Sequence, residues 1–241
     1  MPTTKIKRAV SPTLHPANIT GIPGYEEHKG YVSTSVTAMD SAYQAIEHVI
    51  EARNKLSRDE SRTPKAQVLM AAQMADKYLE KLQKEFASCW DKLTAGINHT
   101  ENELTKPLED YAGSGSINSE IRAHFKNMKP GERVQFLFEA MERGDERTLK
   151  SVLGAPSYLS GMSEAEAKHL TRNYHTKNNP QLAQRLEVMK KTREKLEQAK
   201  PIILAEMEKA VGATRFELEK LKAASSEAEA ALILKEFTCA E

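Results

Sequence analysis

Cysteine, aromatic residues and long apolar runs are what this sequence has least of. Two cysteines, Cys89 and Cys239, occur in 241 residues, too few and too far apart for a disulfide framework or a zinc cage, so a reducing compartment is expected. Aromatic residues make up 6% and apolar residues 39%, against 29% charged. That balance suits thin, solvent-rich helical assemblies better than a thick α/β enzyme. No stretch reaches the roughly eighteen consecutive apolar residues that a membrane helix needs. The basic opening MPTTKIKRAV is not followed by the apolar core of a signal peptide. The expectation is a cytoplasmic protein with no membrane partner. Net charge is also lacking: 35 Lys and Arg against 34 Asp and Glu leave a formal +1, so no global field draws the chain to nucleic acid, and any such binding must be local.

Catalytic motifs are missing as well. There is no Gly-x-x-x-x-Gly-Lys-Ser/Thr loop, Gly-x-Gly-x-x-Gly turn, His-Glu-x-x-His or Cys-x-x-Cys, the spacings that build phosphate cradles, dinucleotide turns and zinc sites. Glu166-x-x-His169 has the spacing of a half-site for a di-iron centre, but that chemistry needs a second copy and two further inward glutamates, and no other histidine has a glutamate three residues before it. His48 with Glu51 and Glu120 with His124 are single acid and imidazole pairs at helical spacing, with nothing to converge on. No catalytic residue, metal or cofactor is expected, and the protein reads as a non-enzyme.

What is present is helical periodicity, so the expected class is all-α. Residues 1–38 hold Pro2, Pro12, Pro16 and Pro23 with Gly21, Gly24 and Gly30 and show no period of 2 or 3.6, which predicts an extended N-terminal arm. In that arm Ile19, Ile22 and Tyr25 are candidate anchors on a partner, and Lys5, Lys7 and Arg8 are candidate nucleic-acid contacts. Over 39–112 a helical hairpin is expected. Ala42, Tyr43, Ala45, Ile46, Val49 and Ile50 share one face, SRDESRTP stops that helix, and Pro64 opens the next. Ala75, Leu79, Leu82, Phe86, Cys89 or Trp90, Leu93 and Ile97 give the second helix its apolar face, with Trp90 as its largest core anchor.

After the break EDYAGSGS, residues 116–176 read as a compact subdomain of short helices. Gly144-Asp145 is a helix stop followed at once by a helix start, Gly154 ends the second helix, and Ser163 with Glu166 forms a capping box for the third. Val134, Leu137, Phe138 and Met141 are expected to face Leu149, Val152 and Leu153. On the link stiffened by Pro156, Tyr158 and Leu159 either tuck under the hairpin or are offered to a partner. Lys168 and Arg172 on the next helix are the alternative nucleic-acid contacts. Glu164 and Glu166, however, occupy the early positions with which a recognition helix would read DNA, and they repel phosphates.

Residues 179–238 read as long helices with a seam of Leu182, Leu186, Met189, Leu196, Ile203, Met207, Ala210 or Val211, Leu218 and Leu221, interrupted at Arg193, Lys200 and Thr214. Pro201 predicts a kink or break near 199–202, and a last short helix is expected to begin at Ser225 or Ser226.

The run MKPGERVQFLFEAMERGDERTLKSVLGAPSYLSGMSEAE resembles helical proteins encoded in tailed phages and prophages of proteobacteria. That resemblance implies a virion, assembly or packaging component, located in the host cytoplasm or the virion. The expected partners are further copies of the chain and other structural proteins. A nucleic-acid-binding protein of the small packaging-subunit type is the alternative.

Overall fold

The computed structural model describes residues 9–108 and 115–231, and the described residues are all-α, with no strand. The chain divides into two compact units. One combines the described residues up to Leu93 with those from Lys191 onward, and the other is Thr94–Lys190.

The first unit begins where an extended arm is expected, and the expectation fails there for a physical reason. Pro12–Leu14 forms a 3-10 turn and Ala17–Thr20 a single helical turn, α1. The side-chain amide of Asn18 donates to the carbonyls of Pro12, Thr13 and His15, tying the two turns into one knot. Leu14, Ile19 and Ile22 are buried, and the knot packs on helix α2, Tyr25–Leu56, with the His15 ring edge-on to Tyr43 at 5.5 Å. Pro12, Pro16, Gly21, Pro23 and Gly24 lie in or beside tight turns instead of an arm. Burying an aliphatic side chain contributes about 1.5–3 kcal/mol, enough to hold such turns in place.

Helix α2 starts well before residue 39, where the helical region is expected to begin. Gly24 precedes it in a left-handed conformation, and Val32, Ser35, Ala38, Met39, Ala42, Ala45, Ile46 and Val49 are buried at spacings of three and four. Its first half, rich in Ser, Thr and Val, has low intrinsic helix propensity; packing of that stripe overrides it. The loop after α2 is fixed by Asp59, which accepts from the Ser61 backbone, and by buried Gln67, which donates to the carbonyls of Asp59 and Arg62.

Helix α3, Pro64–Thr105, buries Ala75, Leu82, Phe86, Cys89 and Leu93 as its spacing predicts. Cys89 takes the core position, donating to the Thr34 carbonyl, while Trp90 is half-buried at the edge of that face and is not the core anchor expected.

In the second unit α4 (Gly115–Asn127), α5 (Pro130–Arg143), α6 (Glu146–Leu153) and α7 (Glu164–Asn178) surround a core centred on fully buried Phe125, with Leu137, Met141, Leu149, Val152, Leu153 and Leu170. Gly144 closes α5 at φ 67°, a left-handed conformation that costs glycine no Cβ clash, and Asp145 starts α6 by accepting from the backbone and hydroxyl of Thr148. Ser163 and Glu166 form the anticipated capping box. One facing is corrected: Val134 and Phe138 are exposed, and Phe136 packs on the core in their place.

Helix α8, Pro180–Val211, runs through Pro201, where a kink or a break is expected; the helix does not break there. Pro201 is exposed, and so is Glu197, the residue whose carbonyl loses its partner there. The seam is also continuous: Thr192 and Ala199 are fully buried between Met189, Leu196 and Ile203, so Arg193 and Lys200 stand beside the seam without interrupting it. The break comes at Gly212, φ 82°, and α9 runs Arg215–Ala231 as one helix through Ser225 and Ser226, where a new helix was expected. Thr214 is its cap, accepting from the Glu217 backbone while the Glu217 carboxylate accepts from the Thr214 backbone and hydroxyl.

Candidate helix-docking surfaces

In the first unit, α3 up to Leu93, α8 from Lys191 and α9 leave an apolar surface incompletely covered. Between α3 and α8 lies an open groove of about 540 Å³, walled by Leu79, Leu82, Phe86 and Trp90 on one side and Ile203 and Leu204 on the other. Leu204 is 57% exposed although it stands in the middle of this apolar strip. Trp90 closes one end, with the Lys200 ammonium 4.1 Å and the Arg193 guanidinium 5.8 Å from its ring centroid. Arg193 and Lys200 are two turns apart on α8, so the indole sits between them and the cations hold its orientation. This is what the two supposed seam interruptions do.

Beyond Leu204 the groove runs beneath α9. Ala72, Ala75 and Leu79 of α3, Met207 and Val211 of α8, and Leu218 of α9 enclose a cleft of about 480 Å³. Helix α9 presents Arg215, Leu218, Glu219 and Lys222 to it, a single face at i, i+3, i+4 and i+7. No described side chain of α9 is buried. Lys222 Nζ donates to Asp76 Oδ2 at 2.6 Å, but both side chains are about half exposed, and an ion pair of that kind contributes about 0–1 kcal/mol. The preceding helix end is held more firmly: Arg53 Nε donates to the Val211 carbonyl, capping α8 just before Gly212.

The second unit offers a different surface, the link between α6 and α7. Ser157–Leu159 forms a 3-10 turn in which Tyr158 is 71% and Leu159 44% exposed, so neither tucks under the hairpin. The side chain that turns inward is Ser160, whose hydroxyl donates to the Val152 carbonyl at the end of α6, with Met162 buried two residues on. The turn is held from the other side by Arg133, which donates to the carbonyls of Gly161, Met128 and Lys126 and lies over the Phe125 ring. A rigid turn therefore displays two apolar side chains outward.

The other expected site residues separate. Ile19 and Ile22 are buried in their own chain and are not partner anchors, because their side chains form the knot on α2; Tyr25 is half-buried at the start of α2. Lys168 is exposed and Arg172 half-buried, one turn apart on α7. Lys5, Lys7 and Arg8 lie outside the described residues. The Glu166 carboxylate is held below the ordinary range chiefly by the Ser163 backbone N–H, then by its hydroxyl, so it serves as a helix cap and not as half of a metal site with His169. Among the described residues no group of three or more His, Cys, Asp or Glu is placed to hold a metal ion, and no helix is long and apolar enough to cross a membrane.

Sequence reasoning missed Leu204 and the cleft under α9. The seam residues on either side of Leu204, Ile203 and Met207, absorb the heptad, leaving Leu204 as a surplus apolar residue, and that surplus is the signal that points to it. No family model, curated protein or solved structure matches the chain.

Proposed function

We propose that this is a non-enzymatic structural or assembly protein that works by self-association and by binding other structural proteins, in the setting of a phage virion or its assembly. The observation that carries the reading is the apolar groove with Leu204 exposed at its centre. Grooves of this kind accept the apolar face of a helix, with anchors at i, i+3, i+4 and i+7. The outward Tyr158 and Leu159 supply a second apolar contact of the same character. The phage setting rests on the resemblance of residues 128–166 alone.

Light scattering at micromolar concentration is the direct test, with a multimer expected and a clean monomer overturning the reading. Leu204→Glu sharpens it. The side chain is exposed, so folding is preserved, while a carboxylate in the groove is expected to weaken association at least tenfold. Trp90, the single tryptophan, reports occupancy of the groove by its emission. The nucleic-acid reading draws on exposed Lys168 and its neighbour Arg172. It demands DNA binding that weakens steeply with salt and is lost on neutralising that pair.

A further inference from the structure

We propose that α9 is an exchangeable strap. In the assembled protein the α9 of one copy lies over the α3–α8 cleft of a second copy, and the exchange is reciprocal and hinged at Gly212–Thr214. This rests on the reading that the chain self-associates and names the partner of that surface.

Four features of one region support the exchange. First, α9 is 17 residues long yet has no described side chain buried, whereas the end of α8 just before it buries Ile203, Met207, Ala210 and Val211. Second, an open cleft of about 480 Å³ runs between α9 and its apolar bed, and α9 lines it with one apolar side chain, Leu218, beside the charged Arg215, Glu219 and Lys222. Third, the hinge is sharply defined. Arg53 fixes α8 up to the Val211 carbonyl, Gly212 adopts φ 82°, and the Thr214–Glu217 capping box starts α9 afresh, so α9 keeps its own helix start when it swings away. Fourth, Lys222 on α9 and Asp76 on the cleft wall are charge-complementary at 2.6 Å, which gives the strap a register that is the same whichever chain supplies it.

The occupant follows from the fit. A cleft that accepts α9 from its own chain accepts the identical helix from a second copy through the same contacts, and a two-fold exchange closes the assembly. The connection between α8 and α9 has three residues, Gly212, Ala213 and Thr214. A connection that short limits how α9 approaches its own cleft, and short constrained hinges favour exchange. A helix arriving from another copy meets the same bed, Leu79, Leu204 and Met207, and the same Asp76.

The exchange is tested with two full-length chains of different size in a Cys239→Ala background, one carrying Asp76→Cys and the other Lys222→Cys, co-expressed and treated with a short bismaleimide. Both positions are exposed, so neither change threatens folding, and circular dichroism checks this. The expected result is a covalent heterodimer in the multimer fraction. Adding four Gly/Ser residues after Ala213 is expected to reduce its yield severalfold. A multimer by light scattering with no cross-link between the two chains, while the doubly substituted single chain links internally, overturns the exchange and leaves self-association standing. A clean monomer removes both.

Discussion

Helices α6 and α9 begin alike and end up differently. Each starts with a side-chain cap, Asp145 to Thr148 in one and Thr214 to Glu217 in the other. Yet α6, eight residues long, buries five of them, and α9, at 17, buries none that is described. Capping decides where a helix begins; burial decides how tightly it is bound to the rest of the molecule. The short helix is therefore an integral part of its unit, and the long one is the element available for exchange.

The largest effect that would test this contrast lies in the core under α6. Leu149 is almost fully buried among Phe125, Leu137 and Val152, and Leu149→Ala is expected to destabilise the second unit by about 2–5 kcal/mol, the range for deleting a buried leucine. Urea unfolding followed by circular dichroism measures it. A loss under about 1 kcal/mol would mean that α6 is no better anchored than α9, and the contrast would fall.

How much of this was legible in the sequence depends on what carried each feature. Boundaries written in local chemistry were readable: Gly144, Asp145, Gly154, and Ser163 with Glu166 each fix a helix end through their own backbone or a neighbour three residues away. The all-α class was readable because periodicity runs through most of the chain. Features set by tertiary contact were not. Residues 12–22 carry Leu14, Ile19 and Ile22 at irregular spacing, and nothing local says that they converge on α2. Thr192 and Ala199 continue the seam of α8 as small residues, so by its large apolar side chains alone the seam reads as interrupted at Arg193 and Lys200. Tyr158 and Leu159 read equally well as core or surface, and what turns them outward is Ser160, a polar residue that turns inward to satisfy a helix-end carbonyl. The candidate site was the least legible part, since an exposed Leu204 is recognisable only once its neighbours are known to be buried.

A smaller effect separates the two caps. Removing the Asp145 cap by Asp145→Ala is expected to cost about 1 kcal/mol of global stability. Its carboxyl is held below the ordinary value first by the Thr148 hydroxyl and then by the Thr148 backbone N–H. Because the folded-state value lies below the unfolded one, the stabilisation is fully present at neutral pH. It declines as pH falls through the ordinary carboxylate range and is gone below the depressed folded value. The difference in stability between the wild-type chain and Asp145→Ala should therefore shrink steadily as pH falls through and below the ordinary carboxylate range. Urea titrations at several pH values measure it, and a difference independent of pH would remove the cap from the account.

The smallest expected effect, at the Thr214 cap, discriminates best. For α6, opening the helix exposes five buried residues, so its opening free energy approaches that of the whole unit and the loss of a cap is felt globally. For α9, opening exposes no described buried side chain and is expected to occur far below the global transition. Thr214→Ala removes a hydroxyl cap from the equivalent helix position, yet global stability is expected to change by less than about 0.5 kcal/mol. Backbone amides of α9 should instead exchange with solvent about fivefold faster, the factor that corresponds to roughly 1 kcal/mol of local stability. Hydrogen exchange read by mass spectrometry separates the two helices within one sample. If Thr214→Ala lowered global stability as much as Asp145→Ala does, α9 would be coupled to its unit as firmly as α6 is. A helix held that firmly would have no freedom to exchange between copies.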